Sequence, residues 1–315
     1  TEGFNRPAFG YTGDGVIQQF YQFGQTQLSH SRLMQYQLPD GTQRTWNRVA
    51  FDDPSIRFSD NPYWIINENT STDERIRYYG TFGLKYNFTD NFYATANLYS
   101  DTYNFEITEF TEVGSAAQSQ YTERNREFEE YNYEARLHYD TSFFDNKFSV
   151  NSLIGTNRRD VYTGRIDGFT QGGLAVAGIR NLNNSTDSPT LIDVNTRTRV
   201  NSVFGSVSLG YDNLAYVTVT GRNDWSSTLP ADNNSFFYPS VSGSLVFSQL
   251  VDADWLSFGK LRAGWARVGN DTGPYNLINT YQDDIAFFGN IRYSQPSANR
   301  NPELGPENKD TFEVG

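Results

Sequence analysis

The side chains that could do chemistry in this chain are few and scattered. Asp52-Asp53, Asp252/Asp254 and Asp283-Asp284 offer the oxygen ligands that calcium prefers. None has the spacing of an EF-hand loop, so solvated turns are the expected reading. His30 and His138 are the only histidines and cysteine is absent, so a zinc site would have to borrow carboxylates. There is no G-x-S-x-G, no phosphate-binding glycine loop and no H-E-x-x-H. The expectation is a non-enzyme with no cofactor and no metal. Four residues stand out for substrate or partner contact: Trp64, Arg222, Asp224 and Trp225. Trp64 could stack on a sugar, but an amphipathic aromatic also suits a membrane interface. Arg222, Asp224 and Trp225 stand where a strand enters a loop. A local Arg222–Asp224 ion pair that orders the loop is expected ahead of a substrate contact.

The elements that carry these residues are hairpins. Tyr78, Gly80, Phe82, Leu84, Tyr86 and Phe88 alternate with Tyr79, Thr81, Gly83, Lys85 and Asn87. Thr89, Asp90 and Asn91 turn the chain, and folding about Asp90 pairs Phe88 with Phe92, Leu84 with Ala96 and Phe82 with Leu98. Successive strand residues point to opposite faces, so the hairpin has one apolar and one polar face. A second hairpin runs from Tyr131 to Phe143, turns at Asp145-Asn146 and returns through Phe148, Val150, Ser152 and Ile154. That two-residue turn matches the twist of the strands. His138 falls on its wet face with Arg136 and Asp140. A third turn is expected at Asp212-Asn213, with Val203, Val207, Leu209 and Tyr211 before it and Leu214, Tyr216 and Thr218 after; Val217 and Val219 are expected opposite Ser208 and Ser206, so both faces are mild and the pattern leaves the orientation open. A fourth lies near Val251–Asp254. Pro62 is expected to end a strand. Residues 101–130, 156–198, 222–237 and 268–308 read as long irregular segments. Short turns alternating with long loops over roughly nine or ten strands is the rhythm of an up-and-down transmembrane barrel.

Composition agrees. Among 315 residues there are 21 Tyr, 24 Phe and 5 Trp, yet the mean hydropathy is −0.64. Abundant aromatics with low mean hydropathy suit strands that alternate lipid-facing and polar residues. No apolar run reaches the ~18 residues of a transmembrane helix. A net charge of −12 disfavours nucleic acid as a partner. No signal-peptide pattern opens the chain, and Thr311–Gly315 reads as an opening strand. Both ends read as internal cuts, so the expectation is a fragment of a longer polypeptide.

Several blocks resemble the SusC/RagA class of TonB-dependent outer-membrane transporters of Bacteroidota. Asp60-Asn61-Pro62-Tyr63-Trp64 resembles that family's Asn-Pro-Tyr-Trp block, after Asp40-Gly41 and Trp46-Asn47. Gly221–Ser227, Asn233-Asn234 and Phe237–Ser242 resemble its Arg-x-Asp-x-Ser and aromatic-Pro-Ser blocks. Leu261–Trp265 with Val268–Asn270, and Asn301–Glu307 with Phe312–Gly315, resemble two more in the right order.

The resemblance implies an all-β antiparallel up-and-down barrel of about 22 strands around a plug, with the whole of 1–315 as part of that single outer-membrane barrel domain and with no counterpart here to the plug, the TonB box or the closing strands. It implies import of oligosaccharide or peptide, with a SusD-like surface lipoprotein as partner. TonB–ExbB–ExbD would supply energy through regions outside this section, and outer-membrane lipid would surround the wall. Two other readings fit the same pattern: a TonB-family barrel serving as receptor or scaffold in an envelope assembly, and a soluble β-sandwich that binds glycans.

Overall fold

The computed structural model describes residues 2–4, 15, 16, 24, 26–251, 255–287 and 290–315. Its strands are β1 (Glu2–Phe4), β2 (Ser71–Asn87), β3 (Phe92–Thr111), β4 (Gln120–Phe143), β5 (Phe148–Leu174), β6 (Ser185–Tyr211), β7 (Ala215–Ser226), β8 (Ser235–Leu245), β9 (Leu261–Asn270), β10 (Gln282–Phe287), β11 (Asn290–Ser294) and β12 (Glu307–Val314). Among the elements wholly within the described residues, the short helices α1 (His30–Leu33) and α2 (Pro62–Asn67) precede β2. Among the described residues ten strands form one sheet in the order β1-β2-β3-β4-β5-β6-β7-β8-β9-β12, and β10 pairs with β11 in a separate two-stranded sheet. The order follows the chain, as an up-and-down sheet must.

Contacts divide the chain into two compact units. One holds residues 1–78, 102–128 and 163–195, the other 79–101, 129–162 and 196–315. Strands β2 to β6 contribute residues to both.

Alternation builds the second unit. Phe88 N–H donates to the Phe92 carbonyl at 2.9 Å, and the two rings stack with centroids 4.9 Å apart. A Cβ on Gly83 would meet Asn97, as folding about Asp90 requires. At the second turn Lys147 N–H donates to the Phe144 carbonyl at 3.1 Å, with Asp145 and Asn146 at φ 53° and 67°. Two central residues at positive φ make the expected type I′ turn. Leu84, Ala94, Ala96, Leu137, Ile154 and Val203 line one shallow apolar depression, so the apolar faces of neighbouring hairpins are continuous. At the turn end of this face the rings touch in two groups of three, Tyr86, Phe88 and Phe92 in one and Phe144, Phe148 and Tyr211 in the other, with Phe148 and Tyr211 centroids 4.8 Å apart.

This apolar face is uncovered. Leu84 is 60 % exposed, Ile154 56 % and Val219 52 %. A β-sandwich hides such faces against a second sheet. Among the described residues the second unit has no such layer, and an apolar surface of this extent marks contact with lipid or with another protein.

Three sequence expectations need correction. At the third turn Leu214 N–H does close on the Tyr211 carbonyl at 2.8 Å, but Tyr211 then pairs with Ala215. Leu214 is an extra residue, and one extra residue reverses every later side chain. Val217 and Val219 therefore join Leu209 and Val207 on the apolar face, and Tyr216 and Thr218 turn to the polar one. The segments expected to be irregular are largely strand: β3 runs to Thr111, β4 starts at Gln120, and β5 and β6 leave only 175–184 between them. Where water meets both faces of a strand, hydropathy has no reason to alternate. Pro62 opens a helix rather than ending a strand, because its missing N–H is harmless at a first helical position. The fourth turn joins β8 to β9, with Leu245 paired to Leu261, but Asp252–Asp254 lie outside the described residues.

Candidate functional site on the polar wall

Strand β7 carries Arg222 and Asp224 two residues apart, hence on one face, and Asn223 and Trp225 on the other. Register places Phe204 of β6 and Tyr238 of β8 beside Arg222. Arg222 Nε donates to Asp224 Oδ1 at 2.8 Å, and an Arg222 terminal amino group donates to Ser202 Oγ at 2.8 Å. The Tyr238 hydroxyl donates to Asp224 Oδ2. Both carboxylate oxygens are thus occupied, and Asp224 is only 7 % exposed. The arrangement clamps β6, β7 and β8 together.

The Arg222 and Arg136 guanidinium carbons lie 5.6 and 5.7 Å from the Phe204 ring centroid, within cation–π range. Phe204 reaches this place by lying over Gly155. A Cβ there would come within 2.6 Å of the ring, so the close approach requires glycine. Beyond Asp224 the strand ends in a pinned loop. Ser226 Oγ bonds Asp271, and Thr228 Oγ1 donates to Asp271 Oδ2 at 3.1 Å.

A second constellation lies on the same face of β2, β3 and β4. Lys85 Nζ sits 4.0 Å from the Tyr93 ring centroid, and His138 stacks on Tyr93 at 4.5 Å with planes 7° apart. Thr95 Oγ1 is 3.3 Å from His138 Nε2. His138 is therefore a wet-face wall residue, as alternation predicts.

The four contact candidates separate. Arg222 and Asp224 share the polar face and form the expected ion pair. Trp225 faces the other way, opposite Asn201, and is 38 % exposed. Trp64 contradicts both of its expected roles. It is 2 % exposed in α2, donates Nε1–H to Ser115 Oγ at 2.9 Å and meets Tyr36 edge-on at 6.2 Å. An enclosed ring neither stacks on a free sugar nor reaches a membrane interface. Asp53 Oδ1 accepts the Ser55 N–H at 3.0 Å, a turn contact. His30 lies in α1. Among the described residues no three His, Asp or Glu side chains are grouped to hold a metal.

The first unit carries a polar cluster that sequence reading missed. Arg126 donates to Asp167 Oδ1, and Arg165 donates to Asp167 Oδ2 at 2.6 Å. Asp167 comes 19 positions after Phe148, past the 9–11 residues that cross a bilayer. Its side chain is almost wholly buried. Burial by itself raises its pKa, but the bonds and charges of Arg126 and Arg165 outweigh burial and hold it below the ordinary value. A lowered folded pKa stabilises fully above the unfolded value of about 4, and that contribution is lost as pH falls through the folded value. Amide protection of 120–128 and 163–174, corrected for intrinsic exchange, should therefore fall as the solution is taken from a higher pH near neutrality to below about pH 4. Asp167→Asn should be less protected already at the higher pH and titrate less. Equal protection of the two proteins at the higher pH would contradict this coupling. Neighbouring charges two residues apart, Arg124-x-Arg126 and Arg165-x-Asp167, were the available signal.

One sheet with an uncovered apolar face, a polar opposite face and an aromatic row at its tight turns defines the wall of a transmembrane β-barrel. The chain belongs to the TonB-dependent receptor-like β-barrel family, whose model matches residues 10–315. It is similar to TonB-dependent receptor P26 of Formosa agariphila, 27 % identical over an alignment of 148 residues that covers 44 % of this chain and 14 % of that protein. Its fold is similar to the RagAB peptide importer in the closed-closed state (TM-score 0.72, 18 % identity, 84 % of this chain and 30 % of that one). The open-open state gives TM-score 0.72 and 17 % identity over 88 % of this chain and 31 % of that one. The chain thus spans about a third or less of each relative's length.

Proposed function

We propose that residues 1–315 are part of one barrel domain in the wall of an outer-membrane importer that takes up oligosaccharides or peptides. A SusD-like surface lipoprotein is its partner, and TonB–ExbB–ExbD energises it. The observation that carries this reading is the family match along the chain, joined to a sheet whose two faces differ as lipid and lumen differ. Lys85, Arg136, His138, Arg222 and Asp224 then line the lumen. Arg222 and Asp224 remain the pair by which the wall meets what the lumen holds, while Trp225 faces outward.

The test is purification of the full-length protein from its own membranes, followed by uptake of labelled peptides and oligosaccharides by the cells. A co-purifying surface lipoprotein and TonB-dependent accumulation of one cargo class are expected. A stable envelope assembly with no cargo and no uptake would make the chain a receptor or scaffold instead.

A further inference from the structure

The outward face of the second unit changes character at a definite height. On β5 the side chains of Phe148, Val150, Ile154, Arg158 and Asp160 share this face, because they are even-numbered positions of one strand. Arg158 comes ten positions after Phe148. At ~3.3 Å per residue that is about 33 Å along the strand. A strand tilted by 35–45° then rises about 25 Å, the height of the apolar band of an outer-membrane barrel. Tyr133 on β4 stands ten positions before Phe143, and Trp225 on β7 ten after Ala215. Both are exposed. These residues mark a second aromatic level opposite the Phe148–Tyr211 row.

At that level sits a cationic group. Arg158 Nε donates to Asp160 Oδ2 at 2.7 Å, and Arg199 Nε donates to Asp160 Oδ1 at 2.5 Å. Each guanidinium is about half exposed. Each spends only Nε on the shared carboxylate, and its terminal amino groups make no hydrogen bond among the described residues. Arg197, also exposed and on the same face, lies over the Tyr162 ring at 5.1 Å. One carboxylate therefore orients two guanidiniums whose outer edges stay open, and a third cation stands beside them.

We propose that Arg158 and Arg199, with Arg197, bind the phosphate-bearing headgroup of an anionic lipid in the leaflet at this level. The inference rests on the lipid-facing assignment of the Ile154–Val203 face. Planar guanidinium forks match phosphate oxygens in pairs. The patch is continuous with the apolar band through Ile154 and Val203, so headgroups are what it meets when acyl chains cover that band. Asp160 serves as a positioning residue that holds the forks apart.

The test uses the full-length protein in mixed phosphatidylglycerol–phosphatidylcholine vesicles, with native mass spectrometry of retained lipid after detergent extraction. The comparison is wild type against Arg158→Ser/Arg199→Ser. Each basic residue near a membrane surface favours anionic lipid by several-fold, so the double variant should lose retained phosphatidylglycerol about thirtyfold relative to phosphatidylcholine. Arg158→Lys/Arg199→Lys should keep part of the preference, having the charge without the fork. In parallel, a fluorophore at Leu209→Cys in each protein reports quenching by lipids brominated in the acyl chain. Unchanged phosphatidylglycerol retention with normal quenching overturns the headgroup site alone. Absent quenching in the wild type overturns the lipid-facing assignment and the site with it. Displacement of phosphatidylglycerol by inorganic phosphate at equal concentration would identify free phosphate, not lipid, as the ligand and overturn the proposal.

Discussion

Leu84→Arg should cost the barrel about 2–4 kcal/mol, whereas Lys85→Glu next to it should cost under about 1 kcal/mol. The two positions differ by one residue and by everything that surrounds them. Leu84 is 60 % exposed on the apolar face, four positions before Phe88. Four residues bring it about 13 Å along the strand from the aromatic row, near the middle of an apolar band about 25 Å high. A guanidinium there has no water to retreat to and no carboxylate among the side chains of that depression. Lys85 points into the polar face, where its loss removes one contact with Tyr93. The check is urea-induced unfolding of the full-length protein from vesicles, followed by the heat-dependent gel shift of folded barrels. Leu84→Arg should lower the midpoint or block assembly, and Lys85→Glu should stay close to wild type. Equal behaviour of the two variants would overturn the assignment of a lipid face and a lumen face, and the opposite order would mean that the two faces are exchanged.

The hairpin that carries this pair was legible in the sequence because its hydropathy has a period of two and its turn has an unambiguous centre. The Arg222–Asp224 ion pair was expected from their place at a loop entrance, and the strand geometry explains it, since residues two apart on a strand share a face. That geometry also separates Trp225 from them, a consequence lost when a block is read as a unit. The third hairpin stayed undecided in the sequence because Val217 and Val219 compete with Tyr216 and Thr218, and only the extra residue Leu214, which shifts the register by one, decides between them. The outer stretches of β4, β5 and β6 were illegible for a different reason. Glu123–Glu130 is charged on both faces, as a strand standing in water can be, and no pattern distinguishes it from a loop. The outward cations Arg158 and Arg199 were invisible because 41 residues separate them and only the β5–β6 pairing brings them together. Trp64 was misplaced because aromatic enrichment at interfaces is a statement about a population. The local signal, an Asn followed by Pro, was that of a helix N-cap with proline at the first turn.

Trp64→Ala should destabilise the first unit by about 3–5 kcal/mol, the usual cost of truncating a fully buried large aromatic. The ring is 2 % exposed, and everything around it is organised by hydrogen bonds that an enlarged cavity would admit water to. Asn61 caps α2 by accepting the Tyr63 N–H at 3.0 Å, while its Nδ2 donates to the Leu33 and Arg44 carbonyls, each at 2.9 Å. Asp60 Oδ1 accepts from Gln43 Nε2 at 2.8 Å and from the Ala116 N–H at 2.7 Å. Trp64 Nε1 reaches Ser115, whose hydroxyl also donates to Asn69 Oδ1 at 3.0 Å. The tryptophan thus joins 33–69 to 112–116 by one apolar surface and one bond. Trp64→Phe keeps most of the volume and loses the bond, so it should cost about 1–2 kcal/mol. Hydrogen exchange on the full-length protein separates this local effect from barrel stability. Peptides from 33–69 and 112–116 should lose protection in Trp64→Ala, while β6–β7 peptides across 203–219 stay unchanged. Uniform loss across both sets would show that the tryptophan supports assembly of the whole barrel. No loss in either would show that the indole is not what holds this cluster closed, and that the Asp60–Asn61 hydrogen bonds suffice without it.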